Sequence, residues 1–142
     1  MALQEDIREG DHTSLSCIPA DAQKTARLLV KEDGIIAGVE LAETIFREVN
    51  PELEIRHFIN DGSPVKFGDV IFEVSGKAQS ILTAERLVLN FMQRMSAIAT
   101  LTRHFVEKTK HTQAKILDTR KTTPGFRSVS YTHLTLPTIV RV

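Results

Sequence analysis

Apolar residues recur along the chain with two different spacings, and these spacings predict its main elements. Between residues 39 and 49 they lie three and four positions apart, which predicts a helix that ends at Asn50-Pro51. Apolar and polar residues alternate over 53–59, which predicts a strand. Apolar positions are denser from about 80 to 108, where we expect a long helix buried on more than one side. Weak helix formers in its middle predict a bend or a break there.

The remaining segments carry shorter signals. The opening, residues 5–14, predicts a short helix followed by an extended segment. Residues 24–38 predict a hairpin that turns at Asp33-Gly34. Gly and Pro punctuate residues 61–76, which predicts two short strands around tight turns, and residues 114–118 predict a further strand.

Composition narrows the class of protein. The chain has 18 Lys and Arg against 18 Asp and Glu, so neither a nucleic acid nor a membrane is an expected partner. The single cysteine, Cys17, has no intrachain disulfide partner, which fits a reducing compartment and a packing or surface thiol. The start lacks basic and apolar leader regions, and no apolar run approaches the ~20 residues of a membrane span. We therefore expect a cytoplasmic protein.

Two groups of residues could carry chemistry. The first is the segment Asp118-Thr119-Arg120-Lys121-Thr122-Thr123, which follows a predicted strand and precedes a Pro-Gly turn. Its guanidinium fork, ammonium and hydroxyls indicate an anion site at the mouth of an α/β barrel, and a solvated pair of cations is the alternative. The second is Arg86, which stands among apolar residues and is either a surface arginine or one presented to an anionic ligand at an interface.

Patterns typical of other sites are not recognised in the sequence. No Gly-rich phosphate loop precedes a predicted helix, and no Ser-His-Asp arrangement is suggested. The five histidines are too scattered to predict a metal site. The candidate chemistry therefore rests on the two cationic groups.

A series of short motifs, taken in order, resembles one family. The motifs are Glu5-Asp6-Ile7, Gly10-Asp11-His12-Thr13-Ser14, Lys31-Glu32-Asp33-Gly34, Ala37-Gly38, Asp61-Gly62, Gly68-Asp69, Leu82-Thr83-Ala84-Glu85-Arg86, Leu89-Asn90-Phe91, Ser96-Ala97-Ile98-Ala99-Thr100 and Asp118-Thr119-Arg120-Lys121-Thr122-Thr123-Pro124-Gly125. Over residues 5–127 the series is similar to quinolinate phosphoribosyltransferase, also called nicotinate-nucleotide pyrophosphorylase (carboxylating). The number of motifs and their compatible gaps make this resemblance specific.

The resemblance implies a fold and a reaction. The fold is an α+β N-terminal sandwich domain, an antiparallel sheet with helices, followed by the first strand of a truncated α/β barrel. The reaction transfers phosphoribosyl from phosphoribosyl pyrophosphate to quinolinate with loss of CO2 and gives nicotinate mononucleotide for NAD biosynthesis. Mg²⁺ accompanies the pyrophosphate. The assembly implied is a homodimer whose active site is shared between the barrel of one subunit and the N-terminal domain of the other.

The resemblance also implies roles for single residues. Arg86 matches the arginine that one subunit contributes to the quinolinate pocket of its partner. Thr119, Arg120 and Lys121 match the strand-end segment that binds the substrate within its own subunit, and Lys121 is the expected catalytic residue. No metal ligand is expected among these residues.

Three segments are expected along the chain. Residues 1–112 would form the sandwich and dimerisation domain, 113–127 the first barrel strand and its loop, and 128–142 a tail unlike the family. The tail contains no Asp, Glu or Lys, and the resemblance implies a glycine-rich stretch with a His-Arg pair in its place. We therefore interpret the tail as non-native, and a native edge strand is the alternative. The chain alone is then expected to lack transferase activity. Three smaller departures, interpreted as packing differences, are Arg8, Ala97 and Phe126.

Other functions stay open at this point. A molybdenum-transport-associated paralogue of the same fold would use the same segments for another substrate. Residues 61–76 also resemble half of a lipoyl or biotinyl carrier module, although the exposed Met-Lys-Met-like turn of such a module does not occur in the sequence. A folded but inactive interaction domain is the third alternative.

Overall fold

The computed structural model describes residues 2–8, 10–117, 121 and 123–125. The elements in chain order are α1 (Ala2–Ile7), α2 (His12–Cys17), β1 (Gln23–Leu29), β2 (Gly34–Ile35), α3 (Val39–Val49), β3 (Glu54–His57), β4 (Pro64–Val65), β5 (Val70–Lys77) and α4 (Ala78–Thr109). Strand β5 is the centre of an antiparallel sheet of order β1-β5-β3, and β2 pairs with β4 in a second sheet. An antiparallel sheet with helices confirms the predicted α+β fold of the N-terminal domain.

The elements with clear periodicity form where the sequence predicted them. Helix α3 buries the apolar face made by Val39, Ala42, Ile45 and Phe46. It ends before Asn50, whose N–H still bonds to the carbonyl of Phe46. The alternating segment forms β3, and the Gly- and Pro-rich stretch after it forms β4 and β5, as expected. Phe46 meets Phe72 of β5 edge-on at 5.9 Å between ring centres, so helix and central strand share one core.

Helix α4 is continuous over 32 residues, so the predicted break is wrong, whereas the alternative, a bend, stays a prediction. The hydroxyl of Thr100 accepts a hydrogen bond from the Ile35 N–H at 2.9 Å. The hydroxyl of Ser96 accepts from the Ala37 N–H at 3.0 Å and donates to the Ala37 carbonyl at 3.2 Å. These hydroxyls bind the chain around β2 and do not compete with the hydrogen bonds of their own helix.

The predicted hairpin at Asp33-Gly34 is also wrong. Strand β1 pairs with β5, whereas β2 pairs with β4 in the other sheet. Between them, Val30 donates to the carbonyl of Asp69 and accepts from Gly68, and the Asp33 carboxylate accepts from Phe67 N–H at 2.8 Å. The turn after β1 is therefore bound by the turn before β5, a long-range contact that a local turn signal does not reveal.

Both ends of the described chain differ from the expectation. Residues 12–17 are helical, not extended, because the Asp11 carboxylate caps α2 by accepting from the Ser14 N–H at 3.2 Å and from the Ser14 hydroxyl at 2.6 Å. Residues 114–117 form no strand. A parallel barrel strand needs neighbouring strands, and the described residues supply none beside it. The predicted tail, 128–142, lies outside the described residues.

Candidate functional site

Arg86 lies in the first half of α4, on the surface of the domain. Its Nε contacts both carboxylate oxygens of Asp6 in α1, at 2.9 Å and 3.2 Å. The side chain of Arg86 is 61% exposed, whereas that of Asp6 is 18% exposed. Among the described residues, Asp6 is the only hydrogen-bond partner of this guanidinium, and that contact uses Nε and not the two Nη groups. The edge formed by the Nη groups can bind a carboxylate through two parallel hydrogen bonds.

Packing of the N-terminal arm brings Asp6 to this place. Ala2 and Leu3 of α1 pack against the main core. The carbonyl of Ile18, which follows α2, accepts a hydrogen bond from the Gln79 side chain of α4 at 2.7 Å. The arm is thus attached to the rest of the domain at two points, one on each side of Asp6 along the sequence.

A cleft of about 300 Å³ lies between α1 and α4 beside this ion pair. Its lining joins acidic, amide and apolar side chains from the two helices: Ala2, Glu5, Asp6, Leu87, Asn90 and Phe91. The cleft is at the small end of the range of ligand pockets. It leaves the surroundings of the Asp6 carboxylate accessible from one side.

Acidic groups of the N-terminal arm lie within the electrostatic reach of Arg86. Hydrogen bonds from the side chain and backbone of Ser14 lower the pKa of Asp11, and the positive charge of Arg86 lowers it further. At neutral pH Asp11 is therefore a carboxylate. Arg86 therefore lies close enough to two acids of the N-terminal arm, Asp6 and Asp11, to interact with their charges.

The structure describes only part of the predicted strand-end site. Thr119 and Arg120 lie outside the described residues, whereas Lys121 is described and exposed. Two residues further on, the Thr123 hydroxyl accepts a hydrogen bond from Nη2 of Arg94 at 2.9 Å. Arg94 stands on α4 about 12 Å along the helix axis from Arg86. Thr123 therefore lies beside the same helix as Arg86.

Two residues that contact predicted site residues or the segment that contains them were not singled out from the sequence. Asp6 was noted only as part of a motif, because it lies 80 positions from Arg86. Arg94 was not singled out at all, and its eight-residue spacing from Arg86 on one helix was the available signal. Within the described residues the hydrogen-bond partner of Arg86 is Asp6, and the relation of Arg86 to the strand-end segment stays a prediction.

Other candidate sites were tested by the structure as well. No cluster of three or more His, Cys, Asp or Glu side chains suited to a metal occurs within residues 2–8, 10–117, 121 and 123–125. In this same part of the chain no helix is both long and apolar enough to span a membrane. Cys17 is exposed and free. His57 bonds through Nε2 to the Glu43 carboxylate at 2.8 Å and so has a structural contact.

Two family models match the chain, one after the other. The quinolinate phosphoribosyl transferase N-terminal domain matches residues 11–96, and the C-terminal domain of the same name matches residues 98–135. The second match extends past Arg127 into the segment 128–142. The predicted non-native character of that segment stays a prediction.

Individual relatives carry the same name. Quinolinate phosphoribosyltransferase [decarboxylating] 1b of Nicotiana tabacum is 52% identical over 130 residues, which are 91% of this chain and 37% of the relative. Nicotinate-nucleotide pyrophosphorylase [carboxylating] of Mycobacterium leprae (strain TN) is 39% identical over 131 residues, 90% of this chain and 46% of the relative. The crystal structure of NadC from Streptococcus pyogenes superposes with a TM-score of 0.92 at 31% identity, over 97% of this chain and 49% of that one. The chain thus spans less than half the length of each.

Proposed function

Since the chain belongs to the quinolinate phosphoribosyltransferase family, we propose that the whole protein transfers phosphoribosyl from phosphoribosyl pyrophosphate to quinolinate and releases CO2, pyrophosphate and nicotinate mononucleotide. One observation in the described domain carries this proposal. Arg86 presents an open guanidinium edge at the surface, held from behind by a single acid. Such an edge is suited to a carboxylate of the substrate.

Charge explains why the reaction needs these residues. Quinolinate carries two adjacent carboxylates and its co-substrate a pyrophosphate, so the reactants repel each other in water. Cations placed around them offset the repulsion and favour a geometry in which the ring nitrogen faces the anomeric carbon. We assign the substrate carboxylates to Arg86 and Arg120, and Lys121 and Thr119 complete the anion pocket. When CO2 leaves, the electron pair of the broken bond remains on the ring carbon beside the nitrogen, where the positive ring nitrogen formed by the transfer stabilises it, and a proton from water then binds to that carbon.

We further propose that the site is completed in a homodimer, with Arg86 of one subunit entering the pocket of the other. Within the described residues the guanidinium of Arg86 has Asp6 as its hydrogen-bond partner and its side chain is 61% exposed, which supports a role at an interface between subunits. Large apolar side chains on α4 also remain exposed, among them Leu101 at 57% and Phe105 at 48%, and exposed apolar residues of this size are commonly covered in an assembly or by another domain.

A cytoplasmic location stays a prediction, because several relatives from plants are named chloroplastic or mitochondrial.

Mg²⁺ is expected to accompany the pyrophosphate of the co-substrate. The described residues do not assemble a set of ligands that fits this ion. No step of the proposed reaction is therefore assigned to a metal held by this domain. The 142-residue chain alone is expected to be inactive, because it spans only about a third of the Nicotiana relative.

The test uses a full-length enzyme, made by continuing residues 1–125 with the remaining barrel of the Nicotiana tabacum relative. Arg86→Ala should raise the KM for quinolinate about ten- to a hundredfold, which is the loss of a charge-assisted hydrogen-bonded pair. Arg27→Ala is the matched control, because Arg27 is 64% exposed and also binds one acid through Nε, that of Glu73 at 2.7 Å. It should leave the KM unchanged.

Three results would contradict the proposal. A folded chimera that binds no quinolinate in calorimetric titration would favour the molybdenum-transport-associated paralogue or an inactive interaction domain. An Arg86→Ala enzyme with an unchanged KM would remove Arg86 from the site. Arg120→Ala with an unchanged affinity for quinolinate would remove the strand-end segment.

A further inference from the structure

We propose that Asp6 is a positioning residue, whose carboxylate fixes the guanidinium of Arg86 so that the two Nη groups face the substrate carboxylate. The proposal rests on the function proposed above, because it assumes that Arg86 binds quinolinate. It adds a residue of the N-terminal arm to the machinery of the site. Asp6 itself does not touch the substrate.

The geometry of the pair supports this role. Nε of Arg86 contacts both oxygens of Asp6, at 2.9 Å and 3.2 Å, which leaves the outer edge of the guanidinium for a ligand. Nε is the donor nearest the stem, so a contact there restricts the last rotatable bonds of the side chain while the Nη groups stay available. An arginine that is 61% exposed would otherwise sample many rotamers.

Asp6 is more buried than Arg86, the residue that it contacts. The Asp6 side chain is 18% exposed, and α1 is packed on the core through Ala2 and Leu3. The other acid near the pair in sequence, Glu5, is exposed and forms no hydrogen bond with Arg86 in the described chain. The two carboxylates on α1 therefore differ in their relation to the site, although they differ little in chemistry.

Two other readings of the contact predict different behaviour. A surface ion pair that only stabilises the fold would change melting temperature and leave substrate affinity unchanged, as most exposed pairs do. A carboxylate that occupies the place of the substrate would compete with it, and its removal would then tighten binding. The direction of the change in KM separates these readings from positioning.

The experiment measures quinolinate KM and kcat in the chimeric enzyme described above. Asp6→Ala should raise the KM about three- to tenfold with little change in kcat, because substrate binding must then order the arginine. Asp6→Asn, which keeps an acceptor oxygen of the same shape, should give a smaller increase and guards against a folding defect in the alanine variant. Glu48→Ala, which removes the same charge from the exposed surface of α3, should leave the KM unchanged.

A double-mutant cycle completes the test. In an Arg86→Ala background, Asp6→Ala should have no further effect on the KM, since the residue that it positions is gone. An equal increase in both backgrounds would make Asp6 merely structural, and a decrease in KM would make it a competitor of the substrate. If Arg86→Ala alone leaves the KM unchanged, the proposed function fails first, and that outcome is distinguishable from a failure of positioning.

Discussion

Replacing Thr100 by valine should destabilise the domain through one backbone group. The Thr100 hydroxyl accepts a hydrogen bond from the Ile35 N–H at 2.9 Å, and its own hydrogen is directed toward the Ile35 carbonyl at 3.5 Å. Ile35 is buried, with 7% of its surface exposed. Valine keeps the shape of threonine but removes the acceptor, which leaves a buried N–H without its partner.

The magnitude follows from the cost of an unsatisfied buried donor, about 1–3 kcal/mol. We expect the free energy of unfolding of Thr100→Val to fall by about 2 kcal/mol and the melting temperature to fall by roughly 5–10 °C for a chain of this size. Urea denaturation followed by far-ultraviolet circular dichroism measures the change, because the chain has no tryptophan for fluorescence.

Two matched variants make the result specific. Thr102→Val makes the same replacement two residues along the same helix, and no side-chain hydrogen bond of Thr102 occurs among the described residues, so the loss should stay within about 0.5 kcal/mol. Thr100→Ser keeps the hydroxyl and should lose much less stability than Thr100→Val. If Thr100→Val and Thr102→Val were equally stable, the contact between α4 and β2 would not contribute to stability.

Two further perturbations test other parts of the domain. Gly38→Ala should lower the free energy of unfolding by more than about 1 kcal/mol, because Gly38 has φ +99° and an added Cβ would lie 3.1 and 3.3 Å from two methionine side chains. Gly68→Ala is the control, because Gly68 has φ +91° and open space around it, so that this variant measures the cost of the backbone conformation alone. Hydrogen bonds from Arg47 and then His57 lower the pKa of Glu43. The ionised Glu43 side chain therefore stabilises the folded state fully above the ordinary pKa of glutamate, and this contribution is lost as the pH falls through the lowered pKa of the folded state. Urea midpoints taken down to about pH 3 should therefore fall less steeply in Glu43→Gln than in the parent, and parallel curves would refute this contribution.

Local periodicity was sufficient for several elements. The spacing of Val39, Ala42, Ile45 and Phe46 predicted α3 because a helix places such residues on one face wherever it packs. The density of apolar residues after residue 80 predicted α4 for the same reason. The ordered motifs also indicated the family, which two successive family models then matched.

Weak local signals were misleading where distant partners decide the conformation. Asp33-Gly34 resembles a hairpin turn, yet the chain changes sheets there because Asp33 is bound by Phe67. Ser96 and Thr100 resemble a helix break, yet their hydroxyls satisfy the backbone beside β2. In each case the alternative partner lies more than 30 positions away.

For the candidate site, too, some properties follow from the sequence and others from the tertiary structure. The sequence by itself determined that Arg86, Arg120 and Lys121 are cations suited to an anionic ligand, because side-chain chemistry does not depend on the fold. Only the tertiary structure decided that Arg86 is open to solvent on one edge and held by Asp6 on the other. Side-chain type and periodicity are properties of neighbouring residues, whereas a contact across 80 positions exists only after burial of the apolar faces has brought α1 against α4.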